Sequence, residues 1–253
     1  MSNIYIRDGE TFTPMDANAV TILHDLPIGI YTIIETYRGF QIIKTNNFNL
    51  PSKIYGDVKQ IANRVLTTYK DRPNNTGVLL TGTAGSGKTM LAKYISCLGT
   101  KDDIITIIIN SSLNGEEFNK LIQSIDQPAI IIFDEFEKVY EDYEQEKMLT
   151  LFDGVYSSKK LFIITCNDEN KIDEHMLNRP GRMYYKIEFA NLTDAFIKDY
   201  CEDCLKNKSE IDAVINFVSK QTEFSFDMLQ TLIEEMNRYE ETVEEAVKLL
   251  NIN

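Results

Sequence analysis

Residues Gly82 to Thr89 read GTAGSGKT, which fits the pattern G-x-x-x-x-G-K-[ST]. An apolar run, Val78 to Leu80, precedes this octapeptide, and apolar residues at helical spacing follow it. The order predicts a strand, a glycine-rich turn and a helix whose first N–H groups converge on phosphate oxygens. Lys88 is predicted to reach the β- and γ-phosphates of a nucleotide, and the Thr89 hydroxyl to hold Mg²⁺. The residues predicted to contact the nucleotide here are Gly82, Thr83, Ala84, Gly85, Ser86, Gly87, Lys88, Thr89 and Met90.

Polar residues also follow two later apolar runs. Asp134 and Glu135 come directly after Ile130 to Phe133. We expect Asp134 to help hold Mg²⁺ through its water shell, and Glu135 to polarise a water molecule that attacks the γ-phosphate. Asn167 comes just after the run Leu161 to Thr165, and its amide is predicted to hydrogen-bond both this water and the γ-phosphate. A buried strand with an acidic exit is the alternative, which the preceding glycine-rich motif disfavours.

A turn with two arginines follows, Arg179-Pro180-Gly181-Arg182. Proline presets one φ and glycine accepts a positive one, so the turn is predicted to project Arg182 outward. An outward arginine is usually only a solvated side chain. The functional alternative is that Arg182 acts in trans, on the γ-phosphate in a neighbouring subunit, where it stabilises transition-state charge.

Nearly uninterrupted apolar runs recur at 104–109, 130–133, 161–165 and 184–189, with helical patterns between them. Strands that do not alternate are buried on both faces, so the pattern predicts an α/β fold with a parallel sheet flanked by helices. Beyond Ala190 the strands stop. Four helical patterns follow there, which predicts a small all-helical lid.

The first part of the chain reads differently, because its β-branched and aromatic runs, Ile30 to Glu35 and Phe40 to Lys44, indicate a β-hairpin. An isolated hairpin is marginal in water, so we expect it to pack on the P-loop body or on a neighbouring subunit. The predicted domains are an N-terminal β-hairpin segment at 1–50, a P-loop domain at 51–190 and a helical lid at 191–253.

The chain of 253 residues carries a net charge of −13. Without basic clusters it offers little to a phosphate backbone, so nucleic-acid binding is disfavoured. No run of 18 apolar residues occurs and the polar start lacks a signal-peptide pattern, which argues against a membrane span and against secretion. Four scattered cysteines point to a reducing cytoplasm. Cys201 and Cys204 form a C-x-x-C, but core packing is favoured over zinc or redox chemistry because no second pair lies near.

Together these motifs resemble the AAA ATPases over about residues 52 to 253. GTAGSGKT looks like their Walker A motif, IIIFDE like Walker B, TCN like the sensor-1 strand end, and MLNRPGR like the second region of homology with its arginine finger. Ile54, Tyr55 and Gly56 sit where such proteins line the adenine, and LFDG at 151–154 resembles the stretch before sensor 1. The resemblance implies that the chain binds ATP and Mg²⁺.

Three departures narrow the resemblance. Tyr185 stands where many AAA ATPases carry a second arginine finger. In this respect the chain is similar to the mitochondrial Rieske-protein translocase branch. Clamp loaders and helicase loaders usually have a sensor-2 arginine at the start of the third lid helix, where this chain has Ser225, Phe226 and Asp227. This difference favours the AAA subfamily proper. Leu113 occupies the pore-loop position where threading motors place an aromatic residue. The hairpin-led N-terminus and compact lid also resemble small ATPases of tailed phages.

The resemblance implies a homo-oligomeric ring, by family a hexamer, that hydrolyses Mg-ATP at subunit interfaces to remodel a protein or protein assembly. A finger supplied in trans makes sense only in an oligomer. Two alternatives stay open: a nucleic-acid loader or replication accessory, and an ATP-dependent assembly switch with little turnover. The expected location is the cytoplasm, or the host cytoplasm if a phage encodes the chain. The motifs identify no protein substrate.

Overall fold

The computed structural model describes residues 3–8, 10–153, 159–177, 179 and 181–252 of the protein. Gly154 of the LFDG stretch, and Asn178 and Pro180 of MLNRPGR, lie outside the described residues. Near the N-terminus, β1 (Asn3–Asp8) and β2 (Thr11–Asp16) form a separate antiparallel sheet, followed by a short 3₁₀ helix, Ala17–Ala19. The sequence patterns did not predict this first pair of strands.

A seven-stranded sheet forms the centre of the protein. Its strands are β3 (Ile30–Thr36), β4 (Gly39–Thr45), β5 (Thr76–Gly82), β6 (Ile105–Ile109), β7 (Ala129–Phe133), β8 (Lys160–Cys166) and β9 (Tyr185–Phe189). Their order across the sheet is β4-β3-β6-β7-β8-β5-β9. Neighbouring strands are parallel, except β3 and β4, which pair antiparallel.

Burial along the strands follows their place in the sheet. The central strands β7 and β8 are buried at every residue, as their uninterrupted apolar runs predict. The edge strand β9 alternates between half-buried and exposed residues. The predicted α/β fold with a mostly parallel sheet is therefore confirmed.

Helices cover both faces of this sheet. They are α1 (Val58–Asp71), α2 (Lys88–Lys101), α3 (Glu116–Ser124), α4 (Phe136–Val139), α5 (Asp142–Phe152) and α6 (Glu174–Leu177), with a 3₁₀ helix at Glu169–Lys171. Ala62 of α1 and Leu91 of α2 pack on one face, while Phe118 of α3 and Met148 of α5 pack on the other. With both faces covered, the carboxyl ends of the parallel strands are where polar side chains gather.

The C-terminal region is helical and has an apolar core of its own. It contains α7 (Asp194–Cys204), a 3₁₀ helix at Lys208–Glu210, α8 (Ile211–Val218), α9 (Phe226–Tyr239) and α10 (Val243–Ala246). Thr193 and Ser225 cap α7 and α9, and a capping box at 242–245 begins α10. Ser209, just before α8, donates to Asn207 Oδ1 at 2.7 Å. In the described part of the chain, no helix is both long and apolar enough to cross a bilayer.

The predicted N-terminal hairpin is confirmed, and it belongs to the central sheet. β3 runs parallel to β6 with Ile30 opposite Thr106, and Thr32 Oγ1 donates to the Ile108 carbonyl at 3.1 Å. Tyr31 of β3 joins the apolar core on the face covered by α3 and α5. The hairpin thus extends the sheet of the P-loop region, and the domain boundary near residue 50 stays a prediction.

Candidate nucleotide site at the strand ends

The glycine-rich loop connects β5 to α2. Gly82, Gly85 and Gly87 have φ angles of +136°, +73° and +104°, a region that strains residues with side chains. A Cβ at Gly82 would lie 2.4 Å from the carbonyl oxygen of Phe189, so only glycine fits against β9. Gly87 is the N-cap of α2. The backbone N–H groups of the loop therefore lie next to the N-terminus of α2, the positive end of its helix dipole.

The Lys88 side chain is buried inside this loop. Its Nζ donates to the carbonyl oxygens of Gly82 and Thr83 at 2.6 and 2.7 Å, and to Ser86 Oγ at 3.4 Å. Burial lowers the pKa of Lys88 below its ordinary value. The loop thus holds a cation at its centre, in the position from which it can meet phosphate charge.

Three side chains from distant parts of the sequence meet at the ends of β7 and β8. Thr89 Oγ1 and Thr165 Oγ1 both donate to Asp134 Oδ1, at 3.0 and 2.7 Å. The Thr165 hydroxyl also accepts a hydrogen bond from the Glu135 N–H at 2.8 Å. A carboxylate beside a hydroxyl is the hard oxygen donor set that Mg²⁺ prefers. The residues present therefore fit the predicted magnesium ion.

Glu135 precedes α4 and has a φ of +51°, which is uncommon for a residue with a side chain. Its Oε1 accepts a hydrogen bond from Lys138 Nζ at 2.5 Å. This bond is the main cause of a pKa of Glu135 below its ordinary value, with a smaller contribution from the nearby Asn167 side chain. Glu135 is therefore ionised at neutral pH, as a group that accepts a proton from water must be.

Asn167 lies just past the end of β8. Its backbone N–H and its side-chain Nδ2 both donate to Glu137 Oε1, at 2.9 and 3.0 Å. The Asn167 side chain also helps to lower the pKa of Glu135, so its amide lies near a second carboxylate at the start of α4. The predicted site residues Thr89, Asp134 and Glu135 are thus linked through Thr165, while Asn167 is bonded to Glu137 beside them.

Arg182 lies differently from its prediction. Its side chain is 7% exposed. Nε and Nη2 donate to the two carboxylate oxygens of Asp153 at 2.5 and 2.7 Å, and Nη1 donates to the His175 carbonyl at 2.6 Å. The predicted outward projection of Arg182 is wrong, because Asp153 at the end of α5 gives the guanidinium a two-pronged partner within the same chain. The same pairing holds the pKa of Asp153 below its ordinary value.

Arg179, by contrast, is 65% exposed, with Nη1 at 3.4 Å from Asp153 Oδ1. A cavity of about 300 Å³ opens beside the two arginines and is lined by Leu149, His175, Arg179 and Arg182. Of the two guanidinium groups, Arg179 is therefore the one that a second molecule can reach without breaking a buried ion pair.

The segment predicted to line the adenine lies against the C-terminal helices. The Tyr55 ring packs on three aromatic rings, those of Phe196, Tyr200 and Phe226. Tyr55 Oη donates to Asp203 Oδ2 at 2.9 Å, and Ile54 is half-buried. Gly56 has a φ of +67°, and a Cβ there would lie 3.2 Å from the Phe196 ring. This segment is thus fixed to the lid.

The lid also touches the glycine-rich loop. The Asp227 N–H at the start of α9 donates to the Gly85 carbonyl at 3.2 Å. A Cβ at Gly85 would lie 2.7 Å from Asp227 Oδ2. An acidic side chain therefore faces the loop at the position where loaders carry an arginine.

Sequence reasoning missed Thr165, Glu137 and Asp153. Thr165 had the clearest signal, because it is the first residue of the TCN strand end, and Asp153 belongs to the LFDG stretch. Leu113, the pore-loop position of the resemblance, is buried, and its carbonyl accepts a hydrogen bond from Tyr140 Oη at 2.9 Å. It packs in the core and is not presented at the surface.

Comparisons with known proteins agree with this geometry. A sequence model of the ATPase family associated with various cellular activities (AAA) matches residues 78–191, the part of the chain that contains the glycine-rich loop, Asp134, Asn167 and both arginines. This stretch runs from β5 past the end of β9 and therefore includes the strands whose ends form the site.

Curated relatives match over a wider range. The chain is 28% identical over 217 residues to a cell division cycle ATPase of Plasmodium falciparum, covering 78% of this chain and 17% of the relative. It is 30% identical over 158 residues to an AAA ATPase forming ring-shaped complexes from Corynebacterium jeikeium (52% and 30%). It is 28% identical over 143 residues to 26S proteasome regulatory subunit 8 of Dictyostelium discoideum (47% and 35%).

The chain therefore spans between about a sixth and about a third of the length of these relatives. What it shares with them is the region of the strand ends and the loop. The matches confirm the predicted resemblance to AAA-family ATPases, which the family model supports over residues 78–191.

Proposed function

We propose that the protein binds Mg-ATP at the carboxyl ends of β5, β7 and β8 and hydrolyses it. The observation that carries the proposal is the meeting of Thr89, Asp134 and Thr165 around one carboxylate oxygen, next to the buried Lys88. The three residues come from the start of α2 and from the ends of β7 and β8.

Each predicted residue takes a distinct task in this proposal. The loop from Gly82 to Met90 wraps the phosphates with N–H groups, and Lys88 exchanges its carbonyl partners for phosphate oxygens. Thr89 and Asp134 would hold Mg²⁺, which supplies positive charge to the phosphate oxygens. Glu135 orients the attacking water and accepts its proton, while Asn167 hydrogen-bonds the same water.

The segment Ile54, Tyr55 and Gly56 would receive the adenine. Its support is the packing of Tyr55 on the lid, together with the contact between Asp227 and the loop, which joins the lid to the same site. Base and phosphates would thus lie where the two parts of the protein meet.

We further propose that copies of the protein assemble into a ring, by family a hexamer, with one active site at each interface. The exposed Arg179 is then the side chain that reaches the neighbour's γ-phosphate. Arg182 can act in trans only where its bond to Asp153 opens. One relative is named for ring-shaped complexes, which supports the assembly.

The proposed substrate is a protein or a protein assembly, in the cytoplasm. Support comes from a relative named as a proteasome regulatory subunit, from the net charge of −13, which disfavours nucleic acid, and from the four free cysteines. The buried Leu113 argues for remodelling without a threading grip at that loop.

A second candidate is an assembly switch with little turnover. Two observations favour it: Lys138 engages Glu135, and Asp153 engages Arg182. Both contacts keep groups needed for hydrolysis paired within the chain. The nucleic-acid loader is disfavoured, because the lid presents Asp227 to the loop in place of an arginine.

The test compares ATP turnover of the wild type with that of Glu135→Gln, using Glu146→Gln on the exposed face of α5 as the matched control. The glutamine variant should bind ATP and stay assembled, but its turnover should fall about 10²-fold or more because the amide is a poor base. Turnover within about tenfold of the wild type would exclude Glu135 as the group that activates water. If the wild type assembles with ATP and retains it uncleaved, the switch is the better description.

A further inference from the structure

The carboxylate of Glu137 is used unevenly. Its Oε1 accepts two hydrogen bonds from one residue, the backbone N–H and the Nδ2 of Asn167, at 2.9 and 3.0 Å. Its other oxygen, Oε2, is buried and accepts no hydrogen bond from the described residues. Burying a carboxylate oxygen without a partner is costly, so the position of Glu137 needs a reason other than stability.

We propose that Glu137 is a positioning residue that fixes Asn167 between the end of β8 and Glu135, and that it does so as a hydrogen-bond acceptor and not as a charge. The inference rests on the function proposed above and concerns a residue to which that function assigns no task.

The arrangement of β7, α4 and β8 explains why the position of Glu137 matters. Glu137 and Glu135 lie on the first turn at α4, while Asn167 follows β8, the neighbouring strand of β7. The two bonds to Glu137 Oε1 fix both the backbone and the amide plane of Asn167. One Nδ2 proton is thereby committed to Glu137, which leaves the amide in a single orientation toward the strand ends. A rotated amide would exchange donor for acceptor at the reacting water.

If Glu137 acts as a hydrogen-bond acceptor, substitutions at this position should preserve activity in an order that their charge alone would not predict. Glu137→Gln keeps an oxygen at the Oε1 position and removes the charge. Glu137→Asp keeps the charge but withdraws the acceptor by one methylene. Glu137→Met removes the acceptor and keeps the size of the side chain. If the acceptor is what matters, glutamine should replace glutamate better than aspartate does.

The experiment measures kcat, KM, the Kd for ATP and the thermal midpoint of all three variants, with Glu146→Met as the matched control on exposed α5. Glu137→Gln should keep kcat within about threefold, while the Asp and Met variants should lose about 10- to 100-fold, the cost of a small misplacement. The Kd for ATP should change little in all of them, because Glu137 makes no hydrogen bond to the described residues of the glycine-rich loop. Asn167→Ala combined with Glu137→Met should be no slower than Asn167→Ala alone.

A second readout does not depend on activity. Hydrogen exchange at the Asn167 backbone amide should quicken in the Asp and Met variants and stay slow in Glu137→Gln. If Glu137→Met does not fold, the order of Gln and Asp still decides the question. Equal loss in Gln and Asp, or wild-type kcat in Met, would overturn the positioning role while leaving the proposed function intact. A wild type without ATP turnover would overturn both.

Discussion

The carboxyl ends of β7 and β8 differ from the arginine segment, residues 179–182, in how their side chains are paired. At the strand ends, Thr89, Asp134 and Thr165 already share hydrogen bonds within one chain. In the arginine segment, Arg182 is neutralised by Asp153 of the same chain, and Arg179 projects into solvent. Under the proposed function, the difference means that one chain supplies the groups that hold phosphate and metal, while the arginines act on the site of a second chain.

Lys88→Ala should cause the largest effect, because it removes the cation at the centre of the glycine-rich loop. ATP binding and turnover should both be lost, while the fold persists, since the ammonium is held by loop oxygens and not by the core. Calorimetric titration with Mg-ATP measures the loss. Lys101→Ala, in the exposed last turn of the same helix, is the control. Wild-type affinity in the Lys88 variant would contradict the assignment of the loop.

Arg179→Ala should come next, with turnover reduced about 10³-fold and ATP binding unchanged, as for the loss of an arginine supplied in trans. Mixing this variant with Lys88→Ala protein should restore part of the turnover, because an intact loop in one subunit can then use the arginine of its neighbour. Arg64→Ala, at an exposed position of α1, is the control.

Arg182→Ala sharpens the same comparison. If this variant loses turnover and Arg179→Ala does not, the buried arginine is the one that crosses the interface, and its bond to Asp153 must open on assembly. A protein that stays monomeric with ATP at every concentration would end the comparison, since no second chain would then complete the site.

Asp153→Asn should reduce the free energy of unfolding by about 2 kcal/mol at neutral pH, the range for hydrogen bonds to a charged group. The pKa of Asp153 is lowered in the folded protein, so the stability it contributes is present above the unfolded pKa of about 4 and is lost as pH falls through the folded pKa. Denaturant unfolding at several pH values should show the difference between wild type and variant shrinking toward low pH. A difference that is constant with pH would mean that the ion pair contributes nothing.

Lys138→Met should have the smallest effect. The pair with Glu135 is exposed on both sides, with 56% and 51% of the two side chains accessible, and such pairs are weak. Freeing Glu135 should raise kcat less than about fivefold and leave KM unchanged, because exposed pairs contribute little. Steady-state kinetics of ATP hydrolysis measure the change in kcat and KM, with Lys101→Met as the control. A larger rise would make Lys138 a brake and would favour the assembly switch.

The sequence predicted much of the sheet and the loop because their signals are local. The glycine pattern fixes the turn after β5, and the uninterrupted apolar runs at β7 and β8 report burial on both faces. The hairpin at 30–45 was predicted too, although its place beside β6 was not. Register and strand order depend on partners far away in the sequence, which no local pattern records.

The partners of the site residues were the part that could not be predicted. The outward direction of Arg182 was inferred from its own turn, and that inference failed because the deciding group, Asp153, belongs to another helix. Glu137 and Thr165 were passed over for the same reason, since each acts on a neighbour from a different strand end. Residue type predicted the chemistry, and only the fold assigned the contacts.

The place of β5 in the sheet has a consequence for synthesis. Both of its neighbours, β8 and β9, come much later in the chain, and the arginine segment lies between them. As the chain leaves the ribosome from its N-terminus, β5 therefore has no strand to pair with until β8, residues 160–166, has been made, and its second neighbour follows only at 185–189. Non-local pairing of this kind is slow. A nascent chain cut before β9 would hold the whole GTAGSGKT stretch and both arginines, and yet leave one edge of β5 unpaired.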